Sequence, residues 1–204
     1  MFAILATQID DVTKLVNFLS CFNSKVIVSN NQEVLRKSNV LFLPDLGNFE
    51  KYMYFLYEKN LVAFLKEWAF SNKPIVGLGL GMQLLFTSYH LGNFYQGLNI
   101  LNGKVTTMVS NNIWSEVYFL KPVFETEFQK TTLAYFNSLC NIEKLNEEDV
   151  LAKTYDDIPI IVWRKNILGS QFSLEKSGSF STYFFQYLMK KLKLCVDKRE
   201  GRNF

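Results

Sequence analysis

The sequence predicts a single α/β domain with a mostly parallel central sheet flanked by helices, and with extra antiparallel strands in its second half. Three observations carry that prediction. The chain has 204 residues, enough to bury one core of its own. Its first ninety residues alternate short apolar runs with helical patterns, as in a parallel sheet covered on both faces. Its second half instead carries strand-like runs separated by Asn, Asp and Gly, the pattern of hairpins.

The elements follow in order. Met1–Thr7 reads as the first strand. From Asp10 to Phe22, the residues Val12, Leu15, Val16, Leu19 and Phe22 recur at helical spacing behind Asp10 and Asp11 as capping residues. Lys25–Ser29 and Asn39–Leu43 are two further buried strands, the second closed by Pro44. A long helical stretch runs from Glu50 to Ser71 and breaks near Asn60. Pro74–Leu78 is a fourth buried strand, and Met82–Tyr89 reads as a helix. Six strands are then expected: Lys104–Val109, Ser115–Leu120, Thr132–Phe136, Val150–Tyr155, Ile158–Arg164 and Leu168–Phe172. A closing helix spans Ser179–Leu194, its apolar face formed by Phe180, Tyr183, Phe184, Tyr187, Leu188 and Leu192. No repeat and no linker rich in Pro, Gly or Ser divides the chain, so residues 1–196 are read as one domain and 197–204 as a polar tail.

Composition excludes several classes of function. Nearly half of the residues are apolar and a fifth are charged, which marks a globular chain. The net charge is only +3, with both signs interspersed, so no broad cationic face for nucleic acid is expected. Cys21, Cys140 and Cys195 are far apart, and the single histidine, His90, completes no ligand spacing with them; neither a disulfide framework nor a metal site is expected. No apolar stretch approaches the length of a membrane span, and the start of the chain has no basic leader, so a reducing cytosol is the expected location. Nineteen phenylalanines, and eighteen lysines against four arginines, point to AT-rich codon usage and not to chemistry.

Chemistry concentrates at Gly77-Leu-Gly-Leu-Gly81, between a buried strand and a helix. A dinucleotide fingerprint fails because the third glycine falls one residue early, and a P-loop fails for want of Gly-Lys-Ser or Gly-Lys-Thr. Two readings stay open. One is a plain tight turn; the other is a nucleophile elbow, with Gly77 and Gly81 allowing close packing and Gly79 in the nucleophile position.

Three longer runs carry a resemblance: Leu43-Pro-Asp-Leu-Gly-Asn-Phe49, Lys73-Pro-Ile-Val-Gly-Leu-Gly-Leu-Gly-Met-Gln-Leu-Leu-Phe86 and Gly169-Ser-Gln-Phe-Ser-Leu-Glu-Lys-Ser177. In order and spacing they resemble the class I glutamine amidotransferases, and within these the glutaminase subunits of imidazole glycerol phosphate synthase, of histidine biosynthesis. The family's corresponding runs read approximately LPGVGAF, KPxLGICLGMQLLF and GVQFHPEKS. Shorter likenesses at Trp114 and at Tyr135-Phe-Asn-Ser138 extend the match along nearly the whole chain.

The resemblance implies a single class I glutamine amidotransferase-like domain that uses a Cys-His-Glu triad to hydrolyse glutamine. It further implies release of ammonia into a partner cyclase of (β/α)8-barrel type, as a heterodimer and without any cofactor. In such a triad the thiol forms a thioester with the glutamine carbonyl, the imidazole moves the proton, and the carboxylate orients the imidazole. Carried over position by position, the cysteine position holds Gly79, the histidine position holds Ser173, and only Glu175 remains. The oxyanion donors fall on Leu46 and Leu80, with Asp45 where the family has glycine, and Gln83 is the glutamine-contacting position. The acidic pair expected to hold the glutamine amino group falls at about His90 and Leu91. Three roles stay open on these residues: a subunit that docks on the cyclase without hydrolysing glutamine, an amidotransferase using a relocated group such as Cys140, and a non-enzymatic binding module for another partner.

Overall fold

The computed structural model describes residues 1–6, 11–22, 24–90, 92–120 and 131–192. Strands β1 (Phe2–Leu5), β2 (Val26–Ser29), β3 (Val40–Leu43) and β4 (Ile75–Leu78) are all short and apolar, and they pair in parallel in the order β2-β1-β3-β4. Between them run α1 (Thr13–Ser20), α2 (Gln32–Leu35), α3 (Phe49–Glu58) and α4 (Leu61–Phe70). After β4 come α5 (Leu80–Leu85), β5 (Ser88–Tyr89), β6 (Tyr95–Gln96), β7 (Lys104–Phe119) and β8 (Thr131–Glu143). The strands β9 (Val150–Lys153), β10 (Pro159–Arg164) and β11 (Ile167–Ser170), then α6 (Gly178–Lys191), complete the described chain. β11 returns parallel to β4 and joins the first half of the sheet to the second, where β10, β9, β7 and β8 pair antiparallel.

Side chains alternate across a strand, so each parallel strand feeds two cores. Phe2, Ile4, Val40, Phe42, Val76 and Leu78 face α1 and α6. Ala3, Leu5, Leu41, Leu43 and Ile75 face α3, α4 and α5. Among the described residues, buried phenylalanines are more numerous on the first face than on the second, and there Phe185 of α6 lies 4.5 Å from Phe22 and 5.8 Å from Phe2 between ring centroids.

Local chemistry explains the boundaries. Asp11 accepts the Thr13 N–H at 3.0 Å ahead of α1, whereas Asp10 lies outside the described residues. Asn48 caps α3 by accepting the Lys51 N–H at 2.9 Å. The break at Asn60 is a left-handed residue with φ 56°, a conformation asparagine tolerates better than most. The short α2, capped by Asn31, has too few apolar residues to register as a periodic pattern.

Four expectations are corrected. The predicted helix over Met82–Tyr89 is instead α5 followed by β5. Phe86 is already extended (φ −77°, ψ 171°) and fully buried, which takes the chain out of the helix and lets Ser88–Tyr89 pair with Tyr95–Gln96 and with β7. The strands over Lys104–Val109 and Ser115–Leu120 are one strand, because pairing to β8 carries the ladder through Asn111 opposite Ser138 in place of a turn. The strand over Thr132–Phe136 continues to Glu143, so Cys140 lies within β8. On α6, Tyr183 is half exposed while Phe185 and Met189 are buried, which turns the core-facing side beyond the predicted one. Leu194 and the 197–204 tail lie outside the described residues.

α5 approaches the sheet at a distance that only glycine allows. A Cβ on Gly81 would lie 2.0 Å from the Leu43 carbonyl oxygen, and one on Gly77 would lie 2.6 Å from the Gly81 oxygen. In an open helix, Gly→Ala gains roughly 1 kcal/mol. Here the sign reverses: Gly81→Ala forces a backbone shift costing about 1–3 kcal/mol or more, seen as a melting temperature lower by roughly 2–10 °C. Thermal denaturation checks this, and an unchanged or raised midpoint contradicts it.

Candidate active site: the elbow at Gly79

The turn between β4 and α5 is held by backbone bonds on both sides. Gly79 donates its N–H to the Ser170 oxygen at 2.7 Å, and its own oxygen accepts from Met82 at 3.0 Å and Gln83 at 3.2 Å. Its backbone lies at φ 49°, ψ −114°, a region that L residues rarely adopt. The turn therefore has the shape of an elbow, with glycine at its apex.

The space beside that apex is filled by a side chain from another segment. Asp45 follows β3 through Pro44, and a Cβ on Gly79 would lie 2.1 Å from the Asp45 Cγ. Asp45 Oδ1 accepts the Leu80 N–H at 2.8 Å, and Oδ2 accepts from Asn137 Nδ2 at 2.8 Å. Asn137 Oδ1 in turn accepts from Lys176 Nζ at 2.6 Å, and that ammonium sits 4.9 Å above the Tyr135 ring. A polar chain thus links the elbow, β8 and the loop before α6.

That loop is stitched to β8. Gln171 accepts the Cys140 N–H and donates to its carbonyl oxygen, each at 2.8 Å. The Ser173 N–H bonds the Tyr135 oxygen at 2.8 Å, and Ser177 Oγ donates to the Ser173 oxygen at 2.7 Å. Ser173 is only 5% exposed, and its own hydroxyl is buried without a hydrogen-bond partner among the described residues. Asp45, Leu46, Asn137, Ser173, Glu175 and Lys176 line one cavity of about 210 Å³, bordered by Asp11 ahead of α1 and Lys14 in its first turn.

The structure therefore gathers Leu46, Ser173 and Glu175 around a single cavity beside Gly79, with the Leu80 N–H turned to Asp45. Gln83 is elsewhere: it is buried one turn along α5, is not among the residues lining that cavity, and its Nε2 lies 3.4 Å from Cys140 Sγ. Burial, and then the Asp45 carboxylate, push the Cys140 thiol up to about 11. His90 follows β5, where its Nε2 lies 3.0 Å from Ser88 Oγ and its ring meets Phe94 edge-on at 4.9 Å. It lines a separate open recess with Lys104 and Lys144; desolvation, then the Lys104 charge, lower its pKa. Leu91 lies outside the described residues. Asn137 and Lys176 escaped the sequence reading, because nothing in their spacing tells that β8 and the loop before α6 converge on Asp45.

No protein-family model matches the chain. The imidazole glycerol phosphate synthase subunit HisH of Halalkalibacterium halodurans is 36% identical over 169 residues, covering 75% of this chain and 78% of that protein. HisH of Geobacillus thermodenitrificans is 32% identical over 181 residues, covering 82% and 84%. Among solved structures, a glutamine amidotransferase superposes with a TM-score of 0.72 at 17% identity over 91% of this chain and 97% of its own. A chain of PurLQS from Thermotoga maritima gives 0.68 at 15% identity over 94% and 98%. The structural likenesses establish the fold; the sequence likenesses, over most of both chains, establish that this chain belongs to the HisH family of class I glutamine amidotransferases.

Proposed function

We propose that the chain serves as the glutaminase-type subunit of imidazole glycerol phosphate synthase, docking on a (β/α)8 cyclase as a heterodimer without hydrolysing glutamine itself. The observation that carries this reading is the elbow. Gly79 stands at the nucleophile position with no side chain, and the Asp45 carboxylate fills the adjoining space. Ser173 stands at the base position, where its buried hydroxyl has no imidazole beside it, and Glu175 is the remaining acid of the triad. Leu46 and Leu80 are the oxyanion positions, and Leu80 already spends its N–H on Asp45. Removing one triad member costs on the order of 10⁴ to 10⁶ in turnover, and removing nucleophile and base together costs little more.

Docking is supported by exposed apolar side chains on the antiparallel half of the sheet. Trp114 and Leu133, on β7 and β8, are each 56% exposed, and Trp114 packs edge-on against Tyr135 at 5.7 Å. With free ammonia as nitrogen donor, the subunit would act by shaping or stabilising the cyclase. In the reconstituted complex, the expected result is ammonia-dependent product formation and no glutamate release above buffer, with Glu175→Ala and Cys140→Ser as controls. Glutamate release at a rate dependent on the chain overturns the loss of hydrolysis. Failure of the two chains to associate at micromolar concentration overturns the pairing and favours a binding module for another partner.

A relocated nucleophile is disfavoured by the state of Cys140. With its thiol pushed up to about 11, the thiolate fraction at neutral pH is on the order of 10⁻⁴. The same shift has a sign that stability reads. The folded state prefers the neutral thiol, so this stabilisation is present below the ordinary value of 9.0 and is lost as pH rises towards about 11. The loss amounts to up to about 3 kcal/mol. Wild type should therefore lose more melting temperature than Cys140→Ala over that window; equal losses in the two proteins contradict the assignment.

A further inference from the structure

We infer that Asp45 decides what the elbow can accept: its carboxylate closes the turn to amide substrates, and Asp45 and Gly79 form a matched pair. The inference rests on the reading of Gly79 as the nucleophile position and goes beyond it, because an absent thiol alone would leave an open turn able to hold glutamine.

The geometry carries three steps. A Cβ at position 79 would lie 2.1 Å from Asp45 Cγ and 2.4 Å from each carboxylate oxygen, so any side chain there collides with Asp45 in its present place. Asp45 Oδ1 holds the Leu80 N–H at 2.8 Å, and an amide carbonyl presented to that donor would have to displace a charged acceptor that makes the stronger bond. Asp45 is also fixed from behind: Asn137 donates to Oδ2 at 2.8 Å, and Lys176 donates to Asn137 at 2.6 Å. The carboxylate is held by donors from α5 and β8, and the second donor is itself oriented by the loop before α6, so swinging it away breaks a connected network. Substituting glycine by aspartate at position 45 and having glycine at position 79 are then parts of one arrangement.

Two readouts on the full-length chain test the pairing, neither of which uses glutamine. In amide hydrogen exchange, Asp45→Ala should speed exchange at Leu80 by about tenfold to a hundredfold. Met82 and Gln83, bonded to the Gly79 oxygen, should stay near their wild-type rates. In a thermal cycle, Gly79→Ala should lower the melting temperature in both backgrounds, because the positive φ at position 79 remains, but by roughly 4 °C or more less with Asp45→Gly than in the native background. Folding of Gly79→Ala only in the Asp45→Gly background also supports the pairing. Equal losses in both backgrounds overturn it, as does unchanged Leu80 exchange in Asp45→Ala, which decides the matter if Gly79→Ala folds in neither. Glutamine hydrolysis by the wild type would remove the proposed function and the closure to amides together, whereas the pairing of Asp45 with Gly79 is read by exchange and the thermal cycle alone, so failure of the pairing is distinguishable from failure of that reading.

Discussion

The architecture depends on how closely α5 lies on the sheet. Leu43, Gly77 and Gly169 are in register across β3, β4 and β11, and α5 descends onto them. Gly81 meets the Leu43 oxygen, and a Cβ on Gly169 would strike Met82 Cγ at 2.6 Å. This contact fixes the angle of the turn and leaves Gly79 at a positive φ. It also brings the segment after β3 within reach of that turn. The polar groups at the elbow are arranged around this approach of helix to sheet.

A scaffold so constrained can persist when its chemistry does not. The three glycines and the apolar strand interiors are required by packing, whatever the apex carries, whereas a thiol and an imidazole are required only by a reaction. At the apex itself, strained angles cost an ordinary residue roughly 1–3 kcal/mol and glycine almost nothing. Glycine at the apex therefore avoids that strain, and the adjoining volume is filled by the Asp45 carboxylate, which accepts two hydrogen bonds.

Much of this was legible in the residues. The four parallel strands, the break at Asn60 and a tight glycine turn after β4 follow from apolar runs and glycine spacing, because those signals are local. Leu46, Ser173 and Glu175, which the resemblance assigns to one site, line one cavity with Asp45. What escaped depends on contacts between distant segments. Asn111 reads as a turn but is absorbed by pairing with β8, and Phe86 ends a helix because the core takes its ring. Asp45 registered as a departure from glycine, but its partnership with Gly79, Asn137 and Lys176 is a matter of three-dimensional distance across up to 131 positions of chain.

On the function proposed above, the amidotransferase fold stands with its elbow closed to glutamine. A calorimetric titration of glutamine into the chain, alone and with the cyclase bound, tests it most directly. The account predicts no saturable heat at millimolar glutamine in either case; one-to-one binding would contradict it.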